Sequence, residues 1–161
     1  MVATTIGVFS SGREAEQAVE ALHEEGFTDD EISIVARDDR DGGGGGGGMG
    51  MDNIADGAAW GSGIGALGGL MAGVGALAIP GVGPILAAGP IAATLSGAVA
   101  GGIGGGLLDL GIPEDRGRQY EEDVKQGRIL CIVEADDERA EEAARLMNEA
   151  GADEVETHGG R

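Results

Sequence analysis

Residues 57–108 form a run of 52 amino acids without one ionisable side chain, and 17 of them are glycine. Within this run Gly57, Gly61, Gly65, Gly69 and Gly73 recur at strict four-residue spacing. After a break at residues 79–84 (Ile-Pro-Gly-Val-Gly-Pro), Gly89, Ala93, Gly97, Gly101 and Gly105 do the same. Residues at i and i+4 lie on one face of a helix. A face without side chains lets two backbones come together, with van der Waals contact and weak Cα–H···O bonds as the gain. Disordered Gly-rich sequence is polar, whereas the spacers here are Ile, Leu, Val and Met. The pattern therefore predicts a glycine-zipper helical hairpin over 57–108, with these ten small residues as its packing seams.

Length bears on where such a hairpin can sit. Residues 57–79 would make a helix of about 34 Å at 1.5 Å per residue, against a bilayer core of about 30 Å. Trp60 lies near one end, where an interfacial indole belongs. Asp56 and Asp109 bracket the hairpin, so both flanks fall on one side. Residues 1–10 carry no basic start and no long apolar stretch, so no export signal is expected and that side is the cytoplasm. Each glycine costs a helix about 1 kcal/mol relative to alanine. The hairpin is thus a marginal span that depends on packing against copies of itself. A soluble shell- or filament-like assembly that buries the hairpins at its centre is the rival expectation.

The chain has 161 residues and a net charge of −19, from 29 acids against 10 bases. All of that charge lies in the two flanks, which read as copies of one strand–helix–strand unit. In the first, Ile6, Val8 and Phe9 belong to an apolar strand, and Ser11 with Glu14 makes a capping box. Ala15, Ala18, Val19 and Leu22 follow at helical spacing, Gly26 ends the helix, and residues 32–36 form a second strand. In the second, residues 129–133 are a strand, Asp136 or Asp137 caps a helix carrying Ala140, Ala143, Ala144 and Met147, Gly151 closes it, and residues 154–157 form the last strand. An offset of 125 superposes Ala15 on Ala140 and Gly26 on Gly151.

Two such units make an α+β domain of split ferredoxin-like (βαβ twice) type, with both helices on one face and the first strand of each unit central. The boundaries are 1–37 for the first half, 38–56 for an acidic and poly-Gly flexible linker, 57–108 for the hairpin, and 109–161 for a connecting helix begun by Pro113 and the second half. Ile129, Cys131 and Val133 would face the helices. Leu130 and Ile132 would then lie on the other face, as a sheet-face interface awaiting the hairpin, a second subunit or another protein.

No chemistry emerges from the side chains. The acidic balance excludes binding that rests on phosphate neutralisation, so no nucleic-acid partner is expected. One cysteine, Cys131, excludes an intramolecular disulfide, and no base sits near it in sequence to activate it. Gly63-x-Gly65-x-x-Gly68 matches a dinucleotide fingerprint, but no strand precedes it and the next acid is Asp109. Asp39-x-Asp41 begins a calcium-like series that stops at glycine. His23 and His158 have no partner at ligand spacing. The expectation is a protein that is not an enzyme and has no catalytic residue, no cofactor and no metal.

Residues 4–37, the turn over 78–90 (Ala-Ile-Pro-Gly-Val-Gly-Pro-Ile-Leu-Ala-Ala-Gly-Pro) and Leu110-Gly111-Ile112-Pro113-Glu114 running into Tyr120-Glu121 resemble the general stress protein family (heat-induced, YflT-like). These are small bacterial and archaeal proteins whose repeat is split by a glycine-zipper insert. The seven glycines at 42–48 depart from that pattern. The resemblance implies a stress-linked protein and brings no catalytic residues with it. The resulting expectation is a membrane-associated homo-oligomer on the cytoplasmic side of the cell membrane, with both termini cytoplasmic and the lipid bilayer as its second partner. The alternatives are a soluble assembly in the cytoplasm, and an adaptor that docks an unknown protein through Leu130 and Ile132.

Overall fold

The computed structural model describes residues 2–37, 75–79, 83–91, 102–108 and 110–159. Both flanks fold as their patterning dictates. Strand β1 (Val2–Phe9) leads into helix α1 (Gly12–Glu24), whose start is capped by the Ser11 hydroxyl accepting from the Glu14 amide at 3.3 Å. Strand β2 (Ile32–Arg37) completes the first unit. In the second, strand β5 (Ile129–Asp136) is followed by helix α4 (Asp137–Glu149) and strand β6 (Glu154–His158). Ala140, Ala143 and Met147 are buried as their spacing implies, but Leu146 takes the inward place expected for Ala144. Gly26 and Gly151 both have positive φ, +92° and +107°, and so end the two helices in the same way.

The insert departs from the helical expectation at residues 75–79 and 83–88. Gly75–Ile79 is strand β3 and Gly83–Ala88 is strand β4, paired antiparallel from Gly75 opposite Ala87 to Ile79 opposite Gly83. The Ile-Pro-Gly-Val-Gly-Pro break thus sits at a β-hairpin rather than between two helices. β-branched Val and Ile next to Pro and Gly favour extended backbone, and β2 offers β4 a free edge to pair with. Helix appears later, as α2 (Gly102–Leu108) and then α3 (Glu114–Lys125). Gly57, Gly61, Gly65, Gly69, Gly73, Ala93, Gly97 and Gly101 lie outside the described residues, as do Trp60, the Gly63–Gly68 fingerprint and Asp39-x-Asp41.

All six strands join one antiparallel sheet in the order β3-β4-β2-β5-β1-β6. The two units interlock. A strand–helix–strand crossover leaves a strand's width between its two strands. β5 fills the gap between β1 and β2, and β1 fills the gap between β5 and β6. The first strand of each unit is therefore internal, and β6, with its charged residues, is an edge.

The sheet carries an apolar core on each face. On one, Phe9, Cys131, Val133, Ile32 and Ile34 pack with Ala18, Val19 and Leu22 of α1 and with Ala143, Leu146 and Met147 of α4. On the other, Ile6, Val8, Val35, Leu130 and Ile132 meet Ile85, Ala87 and Ile91 from the insert, Ile103 and Leu107 of α2, Ile112, and Tyr120 and Val124 of α3. At Gly89, φ is +89°. A Cβ there would stand 2.3 Å from the Ile32 carbonyl oxygen and 2.9 Å from Ser33. Just beyond, the buried Ser33 hydroxyl accepts from the Ile91 amide at 3.2 Å, which pins the end of the hairpin to β2. Gly89 therefore serves as a close-approach glycine at a bend, which corrects its expected place on a helical seam. Gly89→Ala is expected to lower stability by about 2 kcal/mol or more, from the clash and the strained φ together, read as a fall in the denaturant midpoint.

Candidate functional site

The expected interface at Leu130 and Ile132 is closed. The two side chains are 0% and 1% exposed, in a core with residues of α2 and α3 of their own chain. The alternation along β5 assigned them to the right face. The cover is intramolecular because Ile103 and Leu107, at i and i+4 of α2, and Tyr120 and Val124, at i and i+4 of α3, present matching apolar stripes. Of the ten seam residues, Gly89 sits at the bend described above. Gly105 lies on α2, where a Cβ would meet nothing within 4 Å. On the same helix Leu108 remains 44% exposed.

The most concentrated polar chemistry among the described residues lies where α3 crosses the edge strand β6. Strand alternation turns Glu154, Glu156 and His158 to one face, opposite Val8, Ile6 and Thr4 of β1. Helical spacing turns Arg116 and Tyr120 down onto them. The Arg116 guanidinium donates from Nε to Glu156 Oε1 at 3.0 Å and from Nη2 to Glu154 Oε2 at 3.0 Å, and it also pairs with the second Glu156 oxygen. Its carbon lies 5.2 Å over the Tyr120 ring. Tyr120 is fully buried, and its hydroxyl lies 3.4 Å from His158 Nε2. The two rings meet edge-on, with centroids 6.3 Å apart and planes at 89°.

These surroundings fix the protonation states. Burial pushes the Tyr120 phenol up to about 12, against the opposing pull of Arg116, so it stays neutral at physiological pH. Burial likewise lowers the His158 imidazole below its ordinary value, an effect that Glu156 opposes and Arg116 reinforces. The arrangement fastens a helix to a sheet edge. Spacing in the sequence gives His158 no partner; the partner arises where the alternation Glu154, Glu156, His158 meets the i,i+4 pair Arg116 and Tyr120 across the sheet edge.

Cys131 lies in the core under α1 and α4, and burial raises its thiol to about 12. His23 binds Asp29, Nε2 to Oδ1 at 2.7 Å, at the surface. Among the described residues no group of three His, Cys, Asp or Glu is placed to hold a metal ion, and no helix is long and apolar enough to cross a membrane.

The family model of the heat-induced stress protein YflT domain matches residues 4–77. That stretch runs from β1 through the first unit and the glycine-rich insert into β3, so the resemblance to the heat-induced stress proteins is shown over the first half of the chain. No curated protein and no solved structure matches it.

Two outcomes are expected. Arg116→Ala leaves Glu154 and Glu156 together without their shared cation, and should lower stability by about 1–2 kcal/mol in denaturant titrations, less at high salt. Cys131 should resist maleimide in the native protein. A thiol held above its unfolded value of 9.0 binds its proton more tightly when folded. The stability this contributes is present below pH 9 and is lost as pH rises from there toward 12, so labelling should follow unfolding.

Proposed function

We propose that this protein is a stress-associated, non-enzymatic scaffold that assembles with copies of itself through the glycine-striped insert. The stress association is supported by the YflT-domain match over residues 4–77. In this reading the flanks form a split ferredoxin-like domain, a view supported by the strand order β2-β5-β1-β6 with each unit's first strand inside. The domain holds the insert at fixed points: β3 and β4 continue the sheet, and α2 is seated on the second core. In this reading Gly57, Gly61, Gly65, Gly69 and Gly73, and Ala93, Gly97, Gly101 and Gly105, make the contact between copies.

One observation carries the preference for assembly outside a bilayer. Residues 75–79 and 83–88 belong to the sheet, which shortens the first arm to 57–74. Eighteen residues would give a helix of about 27 Å, at the short end of what spans a core of about 30 Å. The second arm ends in α2, whose Ile103 and Leu107 are buried against the domain. The second reading places the insert in the membrane with the domain on its cytoplasmic side, and is favoured by the lack of any ionisable side chain from 57 to 108.

Sizing of the full-length protein with and without detergent separates the two. A uniform large particle without detergent, released by carbonate from membranes, supports the first. Retention in the carbonate-washed pellet supports the second. Gly65→Leu and Gly101→Leu should each weaken assembly by about tenfold or more, since a leucine holds the backbones apart. Unchanged particle size in both variants would remove the seam from the explanation.

A further inference from the structure

We propose that β3 is a pairing edge, at which two copies of the chain join their sheets antiparallel about a two-fold axis at Leu77. The sheet ends at β3 on one side and at β6 on the other. A bare edge is a template for another strand, and charged residues are a common means of blunting it. β6 carries Glu154, Glu156 and His158. β3 reads Gly-Ala-Leu-Ala-Ile, without a charge or a proline, inside a run that has no ionisable side chain from 57 to 108.

Charge also selects the occupant. At a net charge of −19, two copies repel wherever their acidic flanks meet. A contact at β3 keeps β6 five strands back in each copy, about 24 Å at about 4.8 Å per strand, well beyond a screening length of about 8 Å. An uncharged edge suits an equally uncharged strand, and the β3 of a second copy meets that condition. The identity of the occupant rests on the self-assembly reading above; the contact itself is separate from the glycine seams.

The backbone fixes the register. The Glu134 amide donates to the Glu31 carbonyl at 3.0 Å, so residues 31 and 134 form a hydrogen-bonded pair. Bonded and non-bonded pairs alternate along an antiparallel ladder, and a residue bonded to one neighbouring strand turns its polar groups away from the other. Carried from β5 through β2 and β4 to β3, this alternation makes Leu77–Ile85 a bonded pair and Ala78–Pro84 a non-bonded one. Pro84, which has no amide proton to give, agrees. The N–H and C=O groups of Ala76 and Ala78 therefore face away from β4, where no strand among the described residues pairs with them. With Leu77 opposite its own copy, each Ala76 meets the partner's Ala78, and all of these groups are bonded at once.

The test uses the full-length protein. Leu77→Cys brings two thiols to one non-bonded pair, with Cα atoms about 4.5 Å apart, within the range a disulfide bridges. Mild air oxidation should convert most of the chain to a covalent dimer. Ile79→Cys should give at least about tenfold less, because its counterpart lies about 14 Å away along the strand. Cys131 is 0% exposed and takes no part. Ala76→Pro removes an outward amide and no bond to β4, so adding it to Leu77→Cys should cut the dimer yield by about tenfold or more. No cross-link at 77, or equal cross-linking at 77 and 79, would overturn the proposal. Should the variants not fold, the native chain decides. Amide exchange over 75–79 should slow as protein concentration rises, and a rate independent of concentration, as for an edge covered by its own chain, would overturn it. Gly65→Leu and Gly101→Leu test the seams separately. Cross-linking at 77 that survives in them upholds the edge contact, whereas a particle that shrinks in them while 77 stays uncross-linked leaves the seams standing and overturns the edge.

Discussion

A strand that is apolar on both sides has to be covered on both sides, and the organisation of this protein follows from that requirement at β5. Ile129, Cys131 and Val133 need one cover, and Leu130 and Ile132 need another. The repeated units supply the first through α1 and α4. They cannot supply the second, because both crossovers place their helices on the same face. The second cover is assembled between the two units from Ile91, α2, Ile112 and α3, while β3 and β4 widen the sheet beneath it. Each fully buried Leu or Ile is worth roughly 1.5–3 kcal/mol relative to its exposed state. Leaving that face open would forfeit several such terms at once.

The described residues of the insert divide into inward and outward sets. Its apolar positions Ile85, Ala87, Ile91, Ile103 and Leu107 turn inward and complete the fold. Gly105 and Leu108 on α2 remain outward. Shared composition conceals this division. A glycine such as Gly89 is required because a carbonyl oxygen of β2 stands where its side chain would be, whereas Gly105 has open space beside it.

The flanks were legible because their signals are local. Ser11 at a cap, Gly26 and Gly151 at positive φ, and apolar residues at helical or strand spacing each report a conformation settled within a few residues. The internal places of β1 and β5 followed from their apolar character and the charged face of β6. What escaped depends on distant pairing. Residues 75–79 and 83–88 fall between the two small-residue series, inside the expected hairpin, yet they become strands because β2 presents an edge that only the finished sheet has. The cluster of Arg116, Glu154, Glu156, Tyr120 and His158 needed the registry between β6 and α3, which no spacing in the chain encodes.

The interlocking of the two units also sets an order on synthesis. Both neighbours of β1, namely β5 and β6, come from the last third of the chain. At about 5–20 residues per second, the roughly 120 residues between the end of β1 and the start of β5 keep the nascent first unit waiting about 6–24 s with both edges of its leading strand unpaired. During that interval the glycine-rich segment is the part of the chain leaving the ribosome. A strand without partners invites pairing with other chains. Pairing of β1 thus waits on residues 129–158, which close both of its edges together.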